Sequence, residues 1–208
     1  MKKPFRSLTG IALAMAGLAA VSGSLAQSSS TGMTNASGPF TMTASPKAYF
    51  DLSAGQTDYR LGNGTGLFAN DNRSTAYMLS GGAYFTNNLG LELGYTDFGR
   101  ISRGGGTTRA EGLSLRLVGK MPIGPSFNLL GKIGTTYGRT DVSSAAGSGI
   151  TAGSDNGFGL SAGIGVEYIF ATNWSGLLQY DIHDLRFAGG VNDRDRIGVT
   201  TLGLRYSF

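Results

Sequence analysis

Eight charged side chains in this 208-residue chain share one habit: each interrupts an alternation of apolar residues. They are Asp51, Glu92, Arg116, Lys120, Lys132, Glu167, Asp181 and Arg205. In LGLELGYTDFGR (89–100), Leu89, Leu91, Leu93 and Tyr95 occupy every second position, and Glu92 falls between them. A strand separates such residues onto two faces, so each carboxylate or cation sits opposite an apolar stripe. Both signs are present, which is the composition of a mutually paired charge network. Acid–base catalysis is the competing chemistry. His183 is the single histidine, and it shares parity with Gln179 and Asp181 rather than with the apolar face. A lipid-modifying enzyme would need a histidine, a nucleophile and an acid on the lipid side. No such set appears there, so the chain reads as a non-enzyme. Nothing in the spacing suggests a cofactor or a metal site.

The elements that would position these charges are strands. GFGLSAGIGVEYIF (157–170) places Phe158, Leu160, Ala162, Ile164, Val166, Tyr168 and Phe170 on even positions, with mostly glycine, serine and glutamate between. That is period two, not the three-and-four spacing of a helix. The pattern recurs around 48–55, 76–85, 89–98, 112–121, 127–138, 174–183 and 197–208, which makes eight strands. Tight turns are expected at 86–88, 124–126 and 171–173. Longer polar connections are expected at about 60–75, 100–109, 139–156 and 186–196. Short and long connections in alternation describe an up-and-down meander.

The N-terminus resembles an export signal. Lys2, Lys3 and Arg6 precede the apolar run 8–21, and Ser24-Leu25-Ala26 offers a cleavage site, so residues 1–26 are expected to be removed and Gln27 to begin the mature chain. Of the 17 basic residues, three leave with that segment; 14 remain against 13 acidic ones, so the net charge falls from +4 to +1. The basic balance therefore gives no support to nucleic-acid binding. Residues 27–47 lack periodicity and read as a flexible periplasmic lead-in, with the barrel spanning 48–208. There is no cysteine, which excludes disulfides and a lipoprotein anchor.

Two solvents compete for the apolar faces. Three features favour lipid outside and charge inside. Glycine, which would only weaken a water-facing strand, makes room in a narrow lumen for long side chains. Aromatics sort into two bands: Phe85, Phe127, Phe170, Trp174, Tyr206 and Phe208 near the short turns, and Tyr95, Tyr137, Phe158 and Tyr180 toward the long connections. Two such girdles match two membrane–water interfaces. Finally, about nine to eleven residues of tilted strand cross the hydrocarbon. The expected fold is all-β, an eight-stranded antiparallel up-and-down transmembrane β-barrel.

Ala76–Arg100, GVEYIF (165–170) and GLRYSF (203–208) resemble strands of the OmpA transmembrane domain, and the similarity covers roughly 48–208. The resemblance implies a bacterial outer-membrane barrel with short turns in the periplasm and long loops outside. Its partners would be outer-membrane lipid, lipopolysaccharide and the barrel assembly machinery, which would read a C-terminal signal at Tyr206 and Phe208. It implies a structural role in the envelope with surface-displayed loops, an unidentified loop ligand and a monomeric state. A narrow ion pore is the alternative. Many relatives add a peptidoglycan-binding domain, which is not expected here because the chain ends at the eighth strand. The family's interior charge pair, regarded as a gate, places its glutamate at Glu92. Its arginine falls on Leu177 and its alternative lysine on Val118. Arg116 and Lys120 are candidate substitutes, while Lys132 and Glu167 match other charged interior positions. The candidate network is thus Glu92, Arg116, Lys120, Lys132, Glu167 and Arg205. In the loops, the DRDR run (193–196) could suggest calcium or lipopolysaccharide, but its alternating signs favour self-pairing.

Overall fold

A computed structural model describes residues 42–59, 73–103, 106–143, 153–186 and 194–208. Eight strands follow in chain order: β1 Met42–Tyr59, β2 Arg73–Thr86, β3 Leu89–Arg103, β4 Gly106–Pro122, β5 Phe127–Ser143, β6 Gly153–Ile169, β7 Trp174–Arg186 and β8 Arg194–Ser207. Each pairs antiparallel with its neighbours, and β8 returns to β1 to close the barrel. Closure leaves no edge strand, so every strand finds hydrogen-bond partners on both sides.

The alternation sets the two surfaces. Leucines, isoleucines and aromatics cover the outside; Leu202 is 70% exposed, Leu160 68% and Ile164 66%. Such a continuous apolar exterior is stable against hydrocarbon and not against water. Residues of the other parity are buried in the lumen. Registered aromatic rows run across strands near each end. Tyr95 pairs with Leu113, Leu113 with Tyr137, and Tyr137 with Phe158. Toward the opposite end Phe127 pairs with Tyr168 and Trp174 with Tyr206.

The three short turns fall between β2 and β3, β4 and β5, and β6 and β7. At the first, the Thr86 hydroxyl accepts hydrogen bonds from the amides of Asn88 (3.2 Å) and Leu89 (2.8 Å). Several boundaries differ from expectation, including 139–143 and 153–156, which pair as strand within the expected long connection at 139–156. β1 begins at Met42 rather than at 48, with an irregularity between Met42 and Lys47, so part of the expected lead-in is strand. The expected long connection at 100–109 is mostly a continued hairpin: Arg100 pairs with Arg109 and Arg103 with Gly106. Polarity suggested a loop there, but polar residues pair well once a strand rises beyond the apolar band. The export segment 1–26, Gln27 and most of the lead-in lie outside the described residues, as do 60–72, 144–152 and 187–193.

Candidate functional site

The lumen gathers charges from around the whole barrel. Glu92 on β3 lies directly across from Arg116 on β4. Arg116 Nη2 donates to Glu92 Oε1 at 2.6 Å, and its Nη1 reaches across the barrel to Asp181 Oδ1 on β7, also at 2.6 Å. Lys132 Nζ on β5 approaches Glu92 Oε2 at 2.9 Å and donates to Gln179 Oε1 at 2.9 Å. The Tyr49 hydroxyl adds a hydrogen bond to Glu92 Oε2 at 3.0 Å. Glu92 is therefore held by two cations and a phenol, and it is fully buried.

Arg205 organises a second centre at the closing seam. It is registered opposite Asp51 on β1, and the pair is bidentate: Nε to Oδ1 at 2.6 Å and Nη2 to Oδ2 at 2.7 Å. The planar fork matches the carboxylate, which a lysine could not do. The guanidinium carbon lies 3.8 Å from the Tyr49 ring centroid. Its Nη1 reaches the Tyr84 hydroxyl at 3.2 Å and Glu167 Oε1 at 3.4 Å. Glu167 accepts further bonds from Asn128 Nδ2 (2.7 Å) and the Ser175 hydroxyl (2.8 Å). The Ser80 hydroxyl on β2 completes the set by donating to Asp51 Oδ2 at 3.3 Å. All eight strands thus contribute to one connected cluster.

Four buried carboxylates (Asp51, Glu92, Glu167, Asp181) face three buried cations (Arg116, Lys132, Arg205). Desolvating these ions is costly, and the close pairs offset that cost only while complete. The network can do two things chemically: hold the strands to one another, and obstruct the lumen with fixed charge.

Of the residues singled out by sequence, Glu92, Arg116, Lys132, Glu167 and Arg205 come together here. Lys120 does not join Glu92. Its Nζ instead sits over the Tyr84 ring, 4.3 Å from the centroid. Lys120 lies two inward positions from Arg116 toward the short turns, so Arg116, opposite Glu92, is the nearer cation. Leu177 and Val118, where the resemblance implied cations, are buried apolar residues of the lumen. Tyr206 and Phe208 stack edge to face, centroids 5.1 Å apart, on the outer surface beside Trp174.

Sequence reading missed the inward aromatics. Tyr49 and Tyr84 lean on each other within the lumen, centroids 5.2 Å apart. Parity was the available signal: Tyr49 shares it with Asp51 and Ser53, and Tyr84 with Ser80. Also missed was an apolar cluster at the loop end, formed by Ala76, Phe98, Ala110, Leu185, Ile197 and Val199. His183 lies just beneath, inside as its parity requires, with Nδ1 2.9 Å from the Thr136 hydroxyl and its ring edge-on to Phe98. It has no access to the lipid face, where an enzyme of this class would need it. Asp184 points outward and pairs with Arg196 at 3.3 Å, so the last residue of the DRDR run pairs with β7 rather than within the run.

Comparison with known proteins is decisive for the class. A family model described as outer membrane protein beta-barrel domain matches residues 11–208. The chain belongs to that family. As a member of that family it resides in the bacterial outer membrane. No curated protein matches its sequence. Among solved structures it is similar to neisserial surface protein A, with 16% identity and a TM-score of 0.58 over 78% of this chain and 97% of that one. It is also similar to Ail, the attachment invasion locus protein of Yersinia pestis, with 18% identity and a TM-score of 0.54 over 78% and 99% of the two chains. The N-terminal β-barrel domain of Pseudomonas aeruginosa OprF gives 15% identity and a TM-score of 0.52 over 77% and 97%. At such identities these likenesses concern the fold alone.

Proposed function

We propose that this outer-membrane barrel is a structural component of the envelope that displays its longer connections at the cell surface and does not conduct ions at rest. The observation that carries the reading is the ion-pair cluster spanning the lumen, with Arg116 and Arg205 each only 1% exposed. An open pore would keep such charges hydrated along a water path; here they neutralise one another in contact. Lipid contact by the apolar exterior, and recognition of Tyr206 and Phe208 during assembly, belong to the same reading. So do contact with lipopolysaccharide, a monomeric state and an unidentified ligand at the loops. Surface display agrees in kind with the two similar barrels named for the surface and for attachment.

Two assays test the proposal. Purified refolded protein should leave planar bilayers electrically silent. Cells lacking the protein should leak periplasmic enzymes and become sensitive to detergent, with rescue by the barrel. Regular conductance steps from wild-type protein would replace this reading with a pore. Altered lipid A in the mass spectrum of expressing cells would replace it with an enzyme.

A further inference from the structure

The charge cluster does not fill the lumen to the loop end. Above it lies the apolar cluster of Ala76, Phe98, Ala110, Leu185, Ile197 and Val199, contributed by β2, β3, β4, β7 and β8. All six are at most 1% exposed. Strand parity and small neighbours put large apolar groups there. The β3–β4 register shifts between Asp97 and Arg100, and Gly99 within it has a φ of 79°. Phe98 keeps the inward parity of Glu92, Gly94 and Thr96, and the bulge beside it ends that alternation at the loop end. Glycines on β4 and β5 then make room for the apolar groups. A Cβ at Gly112 would meet Phe98 Cε2 at 3.3 Å, and one at Gly138 would collide with Leu185 Cδ2. Leu185 therefore extends over β5 from β7. Buried Thr57 anchors the layer, its hydroxyl donating to the Phe98 carbonyl at 3.1 Å.

In the charge cluster and just beneath the cap, several polar groups are incompletely paired. Ser161 Oγ, Gln179 Nε2, Asp181 Oδ2, His183 Nε2, Thr201 Oγ1 and Arg116 Nε are buried without a protein hydrogen-bond partner. Four of these residues form registered neighbours: Ser161 with His183, and Gln179 with Thr201. Unpaired buried groups of this kind favour small hydrogen-bonding molecules beside them. The apolar layer above offers such molecules nothing.

We propose that the apolar cap around Phe98 and Leu185 is a barrier in its own right, in series with the ion-pair cluster, and that it seals the polar groups beneath it from the loop end. A narrow apolar ring excludes ions by shedding water. Opening the charge cluster alone therefore leaves the barrel closed.

The test uses full-length protein refolded in detergent, with the heat-dependent shift in gel mobility as the criterion of folding. Four proteins enter planar bilayers: wild type, the ionic variant Glu92→Ala/Arg116→Ala, the cap variant Phe98→Ala/Leu185→Ala, and the combination. Conductance steps are expected from the combination only. Steps from the ionic variant alone would overturn the cap as a barrier. Steps from the cap variant alone, or silence from a folded combination, would overturn the series arrangement. Should the combination not fold, a second measurement serves. The chain has no cysteine, so Ser161→Cys is a clean probe of the layer beneath the cap. A small charged thiol reagent should label it slowly with the cap intact and much faster after Phe98→Ala. Fast labelling with the cap intact, or no acceleration without it, would overturn the proposal.

Discussion

Glu92 shows how one side chain can change meaning with its surroundings. In the sequence it is a carboxylate beside leucines. In the barrel it is the acceptor for Arg116, Lys132 and Tyr49. Removing it leaves buried Lys132 without its carboxylate partner and Arg116 with Asp181 alone, and breaking a buried ion pair costs about 3–5 kcal/mol. Glu92→Ala should therefore lower the urea midpoint of the refolded barrel by the amount equivalent to that free energy while membrane insertion persists. Loss of insertion with an unchanged midpoint in detergent would contradict this assignment. Lys120 supplies the contrast. Its contact is with an aromatic face, and such partly exposed cation–π contacts contribute about 0.5–1 kcal/mol. Lys120→Met should change the same midpoint by no more than that. An effect equal to that of Glu92→Ala would place Lys120 in the network after all.

At the scale of elements, β3 carries the most information. Its lower half keeps strict alternation through Tyr95, whose hydroxyl donates to Glu111 Oε2 at 3.0 Å in the rim of the apolar band. Its upper half breaks register at Gly99, where the amide is held by Asp97 Oδ1 at 2.9 Å. A side chain at that positive φ costs about 1–2 kcal/mol, and a Cβ there would also meet Ser74 and Thr75. Gly99→Ala should therefore lower thermal stability and disturb Phe98. Faster amide exchange near the loop end, with protection retained around Glu92, is the expected signature; uniform loss of protection would contradict a local role. The strands were legible because alternation is a local pattern. Cross-lumen pairing was not, because strand parity says which side chains point inward and nothing about their height or reach. Arg116 meets Asp181 through geometry that no spacing along the chain encodes. The hairpin extension at 100–109 was hidden for a different reason: above the membrane, polar composition no longer separates strand from loop.

At the scale of the whole molecule, the fold turns an ordinary protein inside out. The exterior is greasy, and the interior stacks an aromatic pair, an ion cluster and an apolar cap along the axis. Sequence correctly implied the first of these surfaces and the charged part of the second. It represented the lumen as uniformly polar, although Phe98, Leu185, Ile197 and Val199 share strand parity with Glu92, Asp181 and Thr201. The claim on which everything rests is that alternate charges face one another inside a closed barrel, sheltered from water. A double-mutant cycle between Glu92 and Arg116, read from urea unfolding of the refolded protein, tests it most directly. The account predicts a coupling of about 2–3 kcal/mol, retained at about 1 M salt because buried pairs are weakly screened. A coupling near zero, or one abolished by salt, would contradict it.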